Sequence, residues 1–433
     1  MASIKIAYVG GGSTRAPGAM ASFIHMGENF SGSEVSLIDL NPQRLELVRT
    51  ITQRMASARG LDITVTATTD RRAGLADADA VLTSYRPGGF EARALDERIP
   101  LSHGVIGQET QGPGGLFMAF RAVHAFQAIL ADIEAVCPNT RIFNYTNPIN
   151  LVSQAVVPHT DVPMVSLCEG PVIFPHEITE AIGLDPDLLE VVCVGINHAS
   201  WSVVHRYDGR DAIEAVREAY HARTWNGELT GETHRLLRIL DTMGSFPSGY
   251  FQYYFFEREL AHELAAKPTT RAQDILAQVP SYWKHYEAQA ATPDPELDPA
   301  QSRGGIHELE LAFDAMEAVF NDRHATLPVN VPNQGALPGF PDDLVVEVLG
   351  TCAADGVVPL PAPARLPHHL AGIVESLAEY QLAAAQAAWD GTRSDGLRAL
   401  AMHPFVRSLD VAEQIYDELA EAHRAHLPER LLA

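Results

Sequence analysis

The feature that most constrains the fold is an apolar run that enters three consecutive glycines, "IKIAYVGGGST" at residues 4–14. The run predicts a buried strand, and the glycines predict a tight turn that leads into a helix. A second apolar strand, "EVSLIDL" at residues 34–40, follows that helix. Strand, glycine turn, helix and strand form a βαβ unit, so we expect the chain to begin with a parallel sheet.

Strands and helices continue to alternate to about residue 150, which predicts a doubly wound Rossmann domain over residues 1–150. The pattern then becomes less regular. Residues 189–209 predict antiparallel strands, residues 211–290 are mostly helical, and the chain is helical again from about residue 365. We therefore predict an α/β protein whose second domain, over residues 151–433, is mixed α/β and ends in a helical tail.

The glycine turn has the features of a dinucleotide site. Gly10 and Gly12 fit the first two positions of the G-x-G-x-x-G pattern, whereas Arg15 stands at the third. Asp39 ends the second strand, where a carboxylate binds the ribose hydroxyls of NAD and disfavours the extra phosphate of NADP. The alternative is a tight turn with a purely structural role. The residues predicted to contact the cofactor are Gly10, Gly11, Gly12, Ser13, Thr14 and Asp39.

Composition excludes several classes of partner. Asp and Glu number 55 against 31 Lys and Arg, so a net charge of −24 argues against nucleic acid and anionic membranes. The four cysteines are far apart in a chain of 433 residues, which argues against a disulfide framework and favours a reducing cytoplasm. No apolar stretch approaches the roughly 20 residues that span a bilayer. We expect a cytoplasmic protein with a small-molecule partner.

Polar and metal-binding side chains follow several predicted strands. Cys168 comes after an apolar strand, His198 lies in "GINHAS", and Asn147 lies in "NYTNPIN". The carboxyl ends of parallel strands are where α/β proteins bind ligands. The cysteine and histidine could hold a divalent metal with open positions, or they could be a core thiol and a core histidine. The neighbouring asparagines favour a ligand site, because buried amides need partners.

Seven segments occur in order along the chain: "GGGST", "VIGQETQGPGG", "NYTNP", "LCEG", "GINHASW", "RGG" and "VPNQGALPGFPDD". Together they resemble the NAD- and manganese-dependent glycosidases of glycoside hydrolase family 4 and their close relatives, from residue 4 to about residue 350. The resemblance implies a fold like that of lactate and malate dehydrogenases, NAD and Mn²⁺ as cofactors, and a homodimer or homotetramer. It also implies a reaction in which NAD⁺ transiently oxidises C3 of a sugar, which permits C2 deprotonation and elimination at C1 before water adds and C3 is reduced again.

Residue roles follow from the same resemblance. Cys168 and His198 would hold Mn²⁺, and Tyr250 would remove the C2 proton, with Tyr253 and Tyr254 as alternatives. Glu169 would be a general acid or a substrate contact. The remaining assignments place Gln108 at the cofactor, Glu109 at a sugar hydroxyl or metal-bound water, and Arg86, Asn147, Arg303 and His307 at the substrate. The alternative for the loop at residues 104–115 is a glycine-rich connector.

Two arginines favour an anionic group on C6 of the sugar, because guanidinium suits multidentate anion binding. The chain departs from phosphate-specific relatives at Arg15, at Glu169 and at residues 306–307. A sulfonate carries one charge and tolerates a nearby carboxylate better than a phosphate dianion does. The sequence therefore favours a sulfoquinovoside, with a 6-phosphoglucoside as the alternative. A 2-hydroxy-acid dehydrogenase of the same architecture and a non-catalytic nucleotide sensor are the competing functions.

Overall fold

The first part of the chain alternates strands and helices as predicted. The computed structural model describes residues 1–222, 229, 231–303 and 309–432. Its first elements, in chain order, are β1 (Lys5–Val9), α1 (Ala16–His25), β2 (Ser33–Ile38), α2 (Pro42–Ala58), β3 (Ile63–Thr68), α3 (Arg71–Leu75), β4 (Ala80–Thr83), α4 (Gly89–Ser102), α5 (Gly112–Val136), β5 (Arg141–Asn144), α6 (Ile149–Val156), β6 (Met164–Ser166) and α7 (Gly170–Ala181).

Six parallel strands form the dinucleotide-binding type of sheet. Their order is β3-β2-β1-β4-β5-β6, which is the strand order of a complete Rossmann fold. Val9 lies opposite Ile38 on one side and opposite Thr83 on the other. The loops that follow β1 and β4 therefore leave the sheet side by side, at the point where the strand order reverses.

The second part of the chain adds an antiparallel extension to the same sheet. Its elements are β7 (Leu189–Ile196), β8 (Ala199–Tyr207), β9 (Arg210–Asp211), α8 (Ala212–Ala222), α9 (Gly231–Met243), α10 (Gln252–Phe255), α11 (Glu257–Ala266), α12 (Arg271–Ala290), α13 (Glu310–Phe320), β10 (Ala325–Pro332), β11 (Val345–Ala353), β12 (Gly356–Pro359), α14 (His368–Trp389), α15 (Arg393–Met402) and α16 (Leu409–Ala422). Beyond β6 the sheet continues in the order β10-β11-β7-β8-β9, and β12 pairs with β11.

The predicted α/β class and the antiparallel β7–β8 pair are confirmed. The parallel sheet runs past residue 150, because β6 at Met164–Ser166 pairs with β5. The division of the chain at residue 150 stays a prediction.

Helix α5 corrects one statement made from the sequence. It has 25 residues and is long and apolar enough to cross a membrane by length and composition, so the expectation that no apolar stretch approaches that length is wrong. However, 67% of its most apolar window is buried inside the protein, and Phe117, Phe120 and Val123 lie in the core. A core helix meets the same test of length and composition, because burial in a protein and burial in lipid select the same side chains.

Candidate active site

The carboxyl ends of the parallel strands gather the predicted site residues at one edge of the sheet. The glycine turn follows β1, Arg86 follows β4, Asn147 follows β5 and Cys168 follows β6. His198 lies in the antiparallel part of the sheet, in the two-residue turn between β7 and β8. Long-range sheet order thus brings together residues that are far apart in sequence.

The glycine turn is packed too tightly for any side chain at its first position. Gly10 has φ +103°, and a Cβ added to it would lie 2.1 Å from the carbonyl oxygen of Ser84. The backbone N–H of Gly12 donates to the Asp39 carboxylate at 3.0 Å, so Asp39 fixes the turn from the end of β2. Close approach of a backbone to a ligand also requires glycine here.

The start of α1 has room for an anion. Among the described residues no side chain caps this helix. The Ala16 N–H donates to the Ser13 carbonyl and Pro17 has no N–H, so the helix start offers a negative group chiefly its dipole. Within the described residues, the buried hydroxyl of Ser13 has no hydrogen-bond partner. An uncapped helix start and an unsatisfied hydroxyl beside three glycines fit the pyrophosphate of a dinucleotide.

Cys168 and His198 face each other across the edge of the sheet. The Sγ of Cys168 lies 3.9 Å from Nε2 of His198. His198 has φ +67°, a left-handed conformation that costs about 1–2 kcal/mol for a residue with a side chain. Strain of this kind persists where the surrounding structure fixes it, and it marks functional positions.

The electrostatic environment keeps both groups neutral. Burial lowers the pKa of His198 to about 3. Burial, helped by the carboxylates of Glu347 and Glu169, raises the pKa of the Cys168 thiol to about 12. A neutral imidazole is the form that binds a metal, whereas the thiol must lose its proton on binding.

The spacing of the pair suits a shared metal ion. In tetrahedral zinc sites, bonds of about 2.3 Å to sulfur and about 2.1 Å to nitrogen place the two ligand atoms roughly 3.6 Å apart, which is close to the spacing of this pair. In the part of the chain that the structure describes, no third His, Cys, Asp or Glu joins them. Two protein ligands would leave the other positions of the ion to substrate oxygens, as the resemblance implies.

The three tyrosines that are candidates for the base lie in different environments. The Tyr250 ring stacks on the His198 imidazole, with centroids 3.6 Å apart and planes at 11°. Tyr254 instead donates a hydrogen bond to the side-chain oxygen of Gln111. The Tyr253 ring centroid lies 6.3 Å from that of Tyr250. Of the three tyrosines predicted as candidates for the base, Tyr250 is the one against the candidate metal pair.

Glu109 is the centre of an arginine cluster. Its carboxylate forms ion pairs with Arg86 at 2.6 Å and with Arg93 at 2.9 Å. Burial opposes ionisation, but the charges of these arginines, and of Arg15 and Arg303, lower the pKa of Glu109 to about 2. The guanidinium groups of Arg86 and Arg303 lie over the Phe90 ring, at 5.5 and 5.1 Å from its centroid.

Two more predicted residues lie at the same edge. Glu169 accepts a hydrogen bond from the Tyr145 hydroxyl at 2.6 Å. The side-chain oxygen of Asn147 is buried without a hydrogen-bond partner among the described residues. A buried unpaired amide oxygen is suited to accept a hydroxyl from a ligand.

Sequence reasoning missed Arg93, Arg15 as a member of the cluster, and Glu347. Arg93 lies on α4, in a helical stretch with no local signal. The buried Glu347 carboxylate accepts from Asn197 at 2.9 Å and from Ser200 at 2.9 Å. Burial raises the pKa of Glu347 to about 7. His307, a predicted substrate residue, lies outside the described residues.

Comparison with known proteins gives matches over most of the chain. The model of family 4 glycosyl hydrolases matches residues 5–184, and the model of that family's C-terminal domain matches residues 193–406. Over 437 residues the chain is 36% identical to a probable 6-phospho-β-glucosidase of Bacillus subtilis, and the match covers 98% of both chains.

Two solved structures share the fold. A 6-phospho-α-glucosidase from gut microorganisms, in complex with NAD and Mn²⁺, matches with a TM-score of 0.85 and 22% identity, over 98% of this chain and 99% of that one. Malate dehydrogenase from Plasmodium falciparum matches with a TM-score of 0.55 and 11% identity, over 89% of this chain and 100% of that one. The predicted dehydrogenase-like architecture is therefore confirmed.

Proposed function

Because the chain belongs to the family 4 glycosyl hydrolases, we propose that it cleaves a glycoside with an anionic group on C6, using NAD and Mn²⁺. The observation that carries this proposal is the convergence of four arginines on Glu109. The Glu109 charge acts to raise the pKa of His198 and of Tyr250, so the arginine cluster lies near both residues. An anion bound by these arginines would therefore have its sugar beside the candidate metal pair. The NAD and Mn²⁺ in the related crystal structure support the choice of cofactors.

Different residues of this chain bind the dinucleotide and the metal ion. When bound, NAD⁺ supplies reversible hydride removal at C3, and Mn²⁺ supplies positive charge beside the oxygens of C2 and C3. The glycine turn and Asp39 bind the dinucleotide. Cys168 and His198 hold the metal ion.

Proton transfer falls to two other side chains. Tyr250 removes the proton from C2, which the C3 ketone makes acidic. Burial, the Cys168 sulfur and Glu109 raise the pKa of Tyr250 well above its ordinary value. That pKa is expected to fall when a cation is held by the neighbouring ligands. Glu169 donates a proton to the leaving oxygen or contacts a substrate hydroxyl, and Asn147 accepts from a sugar hydroxyl.

For the C6 group we propose a sulfonate, which makes the substrate a sulfoquinovoside. The support is in two departures from phosphate-specific relatives. Glu169 adds a carboxylate to the site, and a singly charged anion is repelled less than a dianion. Arg15 adds a guanidinium that suits an oxyanion of any kind.

A 6-phosphoglucoside is the second candidate, because two observations favour it. Four arginines face two carboxylates, Glu109 and Glu97, so two positive charges are left for a dianion. The relative from Bacillus subtilis is named a probable 6-phospho-β-glucosidase. We also expect a cytoplasmic homodimer or homotetramer that binds neither nucleic acid nor membranes, as the strongly acidic composition suggests.

Three 4-nitrophenyl glycosides test the proposal, with 6-sulfonate, 6-phosphate or 6-hydroxyl groups, each in both anomeric forms. The assay contains Mn²⁺ and catalytic NAD⁺. Release of nitrophenol from an anionic glycoside, with little net NADH, is expected, and Cys168→Ala and His198→Ala should abolish it. Equal activity on the 6-hydroxyl glycoside, or full activity after removal of NAD and metal, would overturn the proposal. Stoichiometric NADH from a 2-hydroxy acid would point to a dehydrogenase.

A further inference from the structure

Thr110, in the glycine-rich loop at residues 104–115, contacts Nδ1 of His198, and Gln108 of the same loop contacts Thr110. Three donors converge on the side-chain oxygen of Gln108: the Thr110 N–H at 2.6 Å, the Gln111 N–H at 2.9 Å and the Thr110 hydroxyl at 3.0 Å. Backbone N–H groups can only donate, so the atom they meet acts purely as an acceptor. The Thr110 hydroxyl must therefore give its single proton to Gln108.

Donation of the Thr110 proton to Gln108 also determines which atom carries the proton at the contact between Thr110 and His198. The same hydroxyl oxygen lies 3.1 Å from Nδ1 of His198. Since its proton is already donated to Gln108, the Thr110 oxygen can only accept at this contact. Nδ1 of His198 then carries the proton, and Nε2, which faces the Cys168 sulfur at 3.9 Å, keeps its lone pair.

We propose that Thr110 and Gln108 are positioning residues that hold His198 in the Nδ1–H tautomer, with the lone pair of Nε2 directed at the space shared with Cys168. The inference rests on the proposed function, because that function assigns the metal to this pair. It also moves Gln108 from the cofactor-binding role predicted from the sequence to support of a metal ligand. Hydrogen bonds to the second nitrogen of a ligating imidazole set its tautomer and orientation in this way.

Both residues of the contact between Thr110 and His198 are buried. Thr110 is 4% exposed and His198 is 5% exposed, so water does not substitute readily for the lost hydroxyl. The side-chain nitrogen of Gln111 lies 3.4 Å from the same Nδ1 and can only donate, so it favours the opposite tautomer, but over a longer contact than that of Thr110. The oxygen of that amide already accepts from Tyr254. Gln111 is therefore the rival residue, and its replacement separates the two possibilities.

The first experiment measures the tautomer in the full-length protein without relying on metal or turnover. Histidine labelled with ¹⁵N reports which ring nitrogen carries the proton, and the His198 signals are assigned by their absence in His198→Asn. The wild type and Thr110→Ser should show a protonated Nδ1, whereas Thr110→Val should lose that preference. A protonated Nε2 in the wild type, or an unchanged tautomer in Thr110→Val, would overturn the inference.

The second experiment titrates Mn²⁺ into the purified, EDTA-treated protein and follows free Mn²⁺ by electron paramagnetic resonance. Thr110→Val should bind about 10- to 100-fold more weakly, and Thr110→Ser should bind within a few-fold of wild type. Melting temperatures check that the variants fold. Tighter binding in Gln111→Met with unchanged binding in Thr110→Val would overturn the inference and leave the metal site standing. Unchanged binding in Cys168→Ala and His198→Ala would instead overturn the metal assignment of the proposed function.

Discussion

Tyr250 lies flat against the imidazole of His198, with ring centroids 3.6 Å apart and an interplanar angle of 11°. The stack places the phenol beside a candidate metal ligand, and the Thr110 oxygen, which donates its own proton to Gln108, lies within hydrogen-bonding reach of that phenol. Neither Tyr253 nor Tyr254 stacks on His198, so this contact supports Tyr250, the first choice of the sequence, over its two alternatives.

Tyr250→Phe should lower kcat by about 10²- to 10⁴-fold, the range that a general base contributes. The phenyl ring keeps the stack on His198, so Mn²⁺ and NAD binding should stay near wild type. The matched control is Tyr254→Phe, which removes a hydroxyl bonded to Gln111 and should cost far less activity. Exchange of the C2 proton with deuterated solvent is the direct measurement. Wild-type exchange in Tyr250→Phe would show that another group is the base.

How much of this site could be predicted depended on whether the signal was local. The glycine turn and Asp39 were predictable, because strand, turn and strand follow one another within forty or so residues. Cys168 and His198 could be named because each ends a recognisable strand. Arg93 could not be found, because its meeting with Glu109 depends on how α4 packs. The join between β6 and β10 was also hidden, since pairing between distant strands leaves no local pattern in either one.

Gly10→Ala should destabilise the fold and abolish NAD binding. A Cβ at Gly10 would lie 2.1 Å from the Ser84 carbonyl oxygen, and the residue has φ +103°. Gly104→Ala is the control, because Gly104 has φ +73° with no atom within 4 Å of an added Cβ. The control isolates the backbone cost, about 1–2 kcal/mol, and Gly10→Ala should exceed it clearly in urea unfolding. Equal losses in both variants would show that strand β4 yields to the methyl group.

The Glu109 carboxylate should make stability depend on pH in acid. Its pKa falls from the ordinary 4.5 to about 2 in the folded protein, because the cluster arginines outweigh its burial. A depressed carboxyl pKa contributes stability above the unfolded value, and that contribution disappears as pH falls from about 4.5 towards 2. The shift corresponds to about 3 kcal/mol.

Glu109→Gln should therefore be less stable than wild type at pH 6, and the difference in unfolding free energy should shrink by pH 3. Glu91→Gln, at an exposed position on α4, is the control for the loss of a carboxylate. Sulfate or phosphate should stabilise Glu109→Gln more than wild type, since the variant leaves Arg86 and Arg93 without their shared partner. A wild-type-to-variant difference that stays constant from pH 6 to pH 3 would contradict this account.

Glu169→Gln distinguishes a general acid from a substrate contact. A general acid matters most when the leaving oxygen is basic, because a good leaving group departs without a proton. If Glu169 is the acid, the variant should lose about 10²-fold or more in kcat on an alkyl glycoside and little on the 4-nitrophenyl glycoside. If Glu169 only contacts a hydroxyl, both substrates should lose the same factor.

Tyr145→Phe is the control, because it removes the hydroxyl that donates to Glu169 at 2.6 Å and leaves the carboxyl group in place. That variant should keep the wild-type dependence on the leaving group, because the carboxyl group is still present. A uniform loss across leaving groups in Glu169→Gln would exclude the general-acid role.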